Sequence, residues 1–120
     1  MNYNTLIELS NLLCAAKPAF EIAHYYGELP NLTNELNRQM DANYMSVQNL
    51  LRPMAEVTSN AIMSNEAMKC QVNFAELSQK LMTIAKQQGL LIDIIVKDCS
   101  RMIFSIVFLK GEEIVAEICA

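Results

Sequence analysis

The 120-residue chain is long enough for one hydrophobic core and leaves little room for a second. With 52% hydrophobic and 18% charged residues, and only three Gly and three Pro, it is too apolar for a disordered chain and too poor in turn formers for a linker or a collagen-like repeat. Thirteen acids against nine bases give a net charge of −4, which disfavours a broad electrostatic grip on nucleic acid or on anionic lipid.

The first predicted element is a helix over Thr5–Ala16. Leu6, Leu9, Leu13 and Ala16 recur at spacings of three and four and so share one face. Lys17-Pro18 then interrupts. Proline lacks the helical N–H but is tolerated in a first turn. Pro18 therefore either kinks one long helix or opens a second one, ending near Tyr26 with Gly27 as its cap. Phe20 and Ala23 continue the apolar face.

Glu28–Asn31 reads as a turn, followed by a helix with Leu32, Leu36 and Met40 on one side and then Val47, Leu50 and Leu51; Pro53 marks another interruption. The stretch Met54–Val72, rich in Ala, Met, Glu and Asn, is expected to be helical with Val57, Ala61 and Met68 inward. A hairpin turning at Ser64-Asn65 is the alternative. A helix over 74–88 carries the clearest local signals. Asn73 is placed as its N-cap with Glu76 completing a capping box, and Val72 and Leu77 are placed as a staple. Its stripe is Phe74, Leu77, Leu81 and Ile84, and Gly89 stops it.

The last thirty residues change period. Strands are expected over 90–96, 101–109 and 113–119, with turns at Lys97–Ser100 and Lys110–Glu112. Short connections imply antiparallel hairpins. The expected fold is α+β: one domain over 1–120, with three to four N-terminal helices in about 4–88 followed by a three-stranded antiparallel β-meander in about 90–119.

The strands do not alternate cleanly between apolar and polar. Met102, Phe104, Ile106 and Phe108 point to one face, together with Leu90, Ile92, Ile94, Val96, Ile114, Ala116 and Ile118. The opposite face carries Leu91, Ile95, Ile103, Val107, Leu109 and Val115, broken by Asp93, Lys97, Arg101, Ser105, Glu117 and Cys119. Each large apolar group is worth about 1.5–3 kcal/mol when fully buried. Six left in water would make a larger patch than a lone soluble chain usually shows. Either the helices wrap both faces or these six residues form an interface. The interface reading is preferred because the sheet has only three strands to share the helices, and it predicts a homodimer.

Residues for chemistry are few. Cys14, Cys70, Cys99 and Cys119 form no C-x-x-C pair and His24 is the one histidine, so no metal site or cofactor is expected. Cys14 and His24, with Glu21 and Glu28 nearby, have the residue types of an activated thiol, but the intervening proline leaves their directions open. Gly27, Gly89 and Gly111 are isolated, so there is no phosphate loop. The N-terminus lacks a basic signal region and no apolar run reaches the ~18 residues of a membrane span. A cytoplasmic location without a membrane partner is expected.

Residues 31–56 have a helix-turn-helix look, with Ser46, Gln48, Asn49 and Arg52 as a reading face for base edges. Arg38 and Arg52 are the segment's only cations, against Glu35, Asp41 and Glu56, so phosphate neutralisation would be poor. Met40, Met45, Met54, Met63, Met68 and Met82 can instead supply an adaptable apolar groove. The expected function is a non-enzymatic, acidic protein-interaction module of the adaptor, chaperone or inhibitor type, a homodimer that binds another protein. A DNA-binding regulator is the alternative.

Overall fold

The computed structural model describes residues 2–51 and 65–120. Within them the order is α1 (Tyr3–Tyr25), α2 (Leu29–Ala42), α3 (Val47–Leu51), α4 (Asn65–Gln88), β1 (Leu91–Asp98), β2 (Ile103–Lys110) and β3 (Glu113–Cys119). The three strands form an antiparallel sheet in the order β1-β2-β3. This is the expected α+β arrangement of helices followed by a β-meander.

Pro18 lies inside a single helix. Asn2 caps it, its side chain accepting the Thr5 amide at 2.8 Å. The proline leaves the Cys14 carbonyl without its intrahelical donor, yet the buried stripe Leu9, Leu13, Ala16, Ala19, Phe20, Ala23 passes through unbroken. Packing along one continuous face outweighs the local break. Helix α2 starts at Leu29, with Pro30 in its first turn, so the expected turn is shorter than Glu28–Asn31.

Helix α4 runs through Asn73, so the expected cap, capping box and staple are not used. Cys70 already packs against the core and its thiol points at the Ala16 carbonyl, 3.7 Å away. Tertiary contact with α1 carries the helix past a strong local start signal. Of the stretch expected to be helical, 65–72 is helical; Met54, Val57 and Ala61 lie outside the described residues, as does Pro53.

Three helices end the same way. Gly27 at φ +69°, Asn43 at φ 62° and Gly89 at φ +67° each take the left-handed conformation just past the helix. In each case the next residue's amide reaches back to a carbonyl five residues earlier: Glu28 to Ala23 at 2.7 Å, Tyr44 to Gln39 at 3.2 Å, Leu90 to Ala85 at 2.8 Å. This is the Schellman closure, which satisfies carbonyls the helix leaves orphaned.

Helices α1, α2 and α4 pack on one face of the sheet. Their core unites Leu9, Leu13, Leu32, Leu36, Phe74, Leu77 and Leu81 with Ile92, Ile94, Phe104, Ile106, Phe108 and Ile118 of the strands. Phe20 meets Phe74 edge-on at 5.6 Å between ring centres and Phe104 at 6.1 Å.

Two bulges shift the expected faces. In β1–β2 the register runs Val96↔Phe104 and then Asp98↔Ile103, leaving Lys97 extra. In β2–β3 it runs Phe108↔Ala116 and then Leu109↔Ile114, leaving Val115 extra. Residues directly opposite share a face, so Ile114 joins Leu109 on the outer face instead of Ala116 and Ile118 on the core face. Arg101 and Met102 belong to the β1–β2 turn, with Met102 at φ 52°, so β2 begins two residues later than expected. Asp98 organises that turn by accepting the Ser100 amide at 3.0 Å, the Ser100 hydroxyl at 2.7 Å and the Arg101 amide at 3.2 Å.

Candidate interaction surface

The outer face of the sheet is built from cross-strand rows. Leu91, Leu109 and Ile114 form the first, Asp93, Val107 and Glu117 the second, and Ile95, Ser105 and Cys119 the third; Asp98 and Ile103 close the face. The first row is wholly apolar. Leu91 and Ile114 are each 51% exposed, and the bulged Val115 beside them is 46% exposed. Ile95, Ile103 and Leu109 are half-buried.

Val107 is not a surface residue: it is 1% exposed, and Ser105 is fully buried. Neither belongs to the core that the helices cover. An ion pair lies on the same face. Lys97 Nζ on β1 meets Glu117 Oε1 on β3 at 3.3 Å. These strands are not neighbours, and two strand spacings of about 4.8 Å separate them. The ion pair therefore links the two strands that flank β2. Cys119 donates its thiol to the same Glu117 oxygen at 3.1 Å. The thiol and then the lysine hold the Glu117 carboxyl below the usual carboxylate range. The Ser105 hydroxyl lies beside this carboxylate but meets no partner at hydrogen-bonding geometry, so Cys119 and Lys97 supply the firmer part of that effect. Partial burial and then the hydrogen bond to Glu117 push the Cys119 thiol up, which makes it a poor thiolate.

The two sheet edges differ. Phe104 exchanges backbone bonds with Ala120 at 2.8 and 3.0 Å. The alternation of antiparallel ladders then turns the amides and carbonyls of Ile92, Ile94 and Val96 away from β2 and those of Glu117 and Cys119 away from it on the other side. On β1, Asn37 of α2 takes both groups of Ile92: its Nδ2 donates to the carbonyl at 2.8 Å and its Oδ1 accepts the amide at 3.0 Å. The Ile94 amide donates to its neighbour's Asp93 Oδ1 at 2.8 Å. Side chains thus occupy much of the β1 edge, the kind of protection an open strand needs. On β3 the outward backbone of Glu117 and Cys119 meets no partner among the described residues.

The methionine expectation has a counterpart in space. Met40, Met45 and Met82 line a cavity of about 250 Å³ between α2, the turn after it and α4, with Gln79, Thr83 and Lys86 at its rim. Lys86 Nζ is held there, donating to the Met40 carbonyl at 3.1 Å and to Asn43 Oδ1 at 2.8 Å. Met54 and Met63 lie outside the described residues.

The remaining candidates separate. Cys14 is exposed on α1, while His24 packs edge-on against Phe104 at 6.3 Å. Ten residues of continuous helix put them about 15 Å apart along the axis, so they do not form a nucleophile–base pair. Ser46 and Asn49 are engaged locally: the Ser46 hydroxyl accepts the Asn49 amide at 3.3 Å at the start of α3. Gln48 is exposed, and Arg52 lies outside the described residues. Arg38 is tied to Glu35 and to the Tyr44 hydroxyl and lies over the Tyr44 ring. Among the described residues no three His, Cys, Asp or Glu side chains are grouped to hold a metal ion, and no helix is long and apolar enough to cross a membrane.

Sequence reasoning missed Asn37 and Gln39. Gln39 is fully buried and clamps the turn after α2. It accepts the Ser46 amide at 2.7 Å and donates to the Ser46 carbonyl and to Glu35 Oε1, both at 3.0 Å. A polar residue between Leu36 and Met40 on the buried side of the helix was the available signal.

Comparisons with protein-family models, with curated proteins and with solved structures find no match for this chain.

Proposed function

We propose that this chain is a non-enzymatic protein-interaction module, cytoplasmic and self-associating, that acts by holding another protein. The observation that carries this reading is the apolar row Leu91–Leu109–Ile114, with Val115 beside it, left in solvent at one end of the sheet. Contiguous apolar side chains on a surface mark a place where another surface sits. The ring of charge around the row, with Asp93, Lys110, Glu112 and Glu113 exposed or half-exposed, supplies the polar rim such interfaces carry.

The test is sedimentation and affinity capture with one variant. The chain is expected to sediment at twice its 13.5 kDa mass at micromolar concentration, and to retain a defined partner from its native host. Leu109→Glu is expected to give a folded 13.5 kDa species that has lost both. A wild-type chain that sediments as a monomer removes the self-association claim. A variant that keeps its partner removes the apolar row as the binding surface.

A further inference from the structure

We infer that the free edge of β3 is a strand-addition site for an extended, basic segment of a partner protein. This deepens the protein-binding reading and rests on it. The sheet has two edges, and the fold treats them differently. Asn37 fills both outward groups of Ile92, and Asp93 fills the Ile94 amide. A strand approaching β1 would have to displace these bonds and the helix that carries Asn37. The outward amides and carbonyls of Glu117 and Cys119 carry no bond and both residues are exposed. An added strand gains main-chain hydrogen bonds there without breaking any, which is how extended peptides bind open sheets.

Charge selects the occupant. Glu112, Glu113 and Glu117 lie on β3 and its turn. Only Glu117 among them makes an ion pair, with Lys97. A second copy of β3 would bring three more carboxylates to the same edge, and like charges across strands repel. A segment with Lys or Arg on alternate positions places them on the outer face beside Glu117. Its intervening apolar residues then fall on the face of Ala116 and Ile118, which continues the core.

The probe is a synthetic ten-residue peptide of alternating Lys and Val, added to the isotope-labelled whole chain and followed by amide exchange and chemical shift. The Glu117 and Cys119 amides are expected to become at least tenfold slower to exchange, with Ile92 and Ile94 unchanged. An alternating Glu–Val peptide, and a Lys–Val peptide of the same composition in blocks, are expected to give no protection. Glu117→Pro removes the outward amide and is expected to weaken binding at least tenfold beyond Glu117→Ala, which loses the same ion pair but keeps the amide. Should the proline variant not fold, the exchange pattern of the unaltered chain decides alone. Protection at Ile92 and Ile94, or equal binding by the blocked or acidic peptide, overturns the edge assignment while leaving the apolar row and its capture test untouched. Protection of Glu117 and Cys119 that grows with protein concentration in the absence of peptide overturns the basic partner in favour of a second copy.

Discussion

A single buried amide carries the turn between α2 and α3. Gln39 spends both ends of its side chain on the Ser46 backbone, which stands in for the strand or helix partner that a turn residue lacks. Gln39→Leu keeps the volume and strands two half-buried backbone groups, each costing about 1 kcal/mol or more. Its urea midpoint is expected to fall by an amount equal to roughly 2 kcal/mol or more in equilibrium denaturation. Asp98 acts similarly in the β1–β2 turn but on the surface. The Ser100 hydroxyl and then the Arg101 amide hold its carboxyl below the usual range. A carboxyl depressed in the folded state stabilises above its unfolded pKa, and that contribution fades as pH falls through the lower folded value. Glu117 has the same sign. The loss of stability between pH 5 and pH 2.5 is therefore expected to be smaller in Asp98→Asn than in the unaltered chain, as read from denaturation midpoints at each pH. Gln39 left one trace in the sequence, a polar residue on the buried side of a helix, and Asn37 left none. Asn37 finds its partner 55 residues away, and no local pattern announces such a pairing.

Among the elements, what was legible follows from periodicity, and what was not follows from contact. The stripes Leu9–Leu13–Ala16–Phe20 and Phe74–Leu77–Leu81 are buried as their spacing requires. Their limits were set elsewhere. Pro18 and Asn73 both read as boundaries, and both sit inside helices, because α1 and α4 pack along each other and neither can stop without leaving apolar surface in water. Pro18 is tolerated, not required. Pro18→Ala restores a backbone bond to the Cys14 carbonyl and a better helix former at an exposed position. It is expected to stabilise the chain by about 1–3 kcal/mol without changing the denaturant slope. A loss of stability would instead mean that the core needs the geometry the proline imposes. In the strands, alternation located the core face of β1 and β2, and in β3 it placed Ala116 and Ile118 there correctly but not Ile114. The bulge at Val115 moves Ile114 to the outer face, and nothing in a row of Ile, Val and Ala says where an extra residue will be inserted.

At the scale of the whole molecule, the six residues read as one outer patch differ in exposure, with Ile95, Ile103 and Leu109 half-buried. Leu91 and Val115, with Ile114, remain open at one end, while Val107 is closed off at the centre. Val107→Glu is accordingly expected to unfold the chain or to cost several kcal/mol, since a charge would be buried without a partner; circular dichroism and urea titration measure it. Leu109→Glu, at the half-buried end, is expected to leave the fold intact. The contrast between the two would establish that the face has a sealed middle and an open end. On this face two charged side chains, Lys97 and Glu117, lean toward each other from the outer ribbons. Their pairing ties the first ribbon to the third directly, so the sheet is clasped from edge to edge by side chains as well as laced by its backbone. Replacing both with short neutral side chains would undo that clasp and leave every contact of the helical side in place, so the outermost ribbon would be the first to peel away on warming.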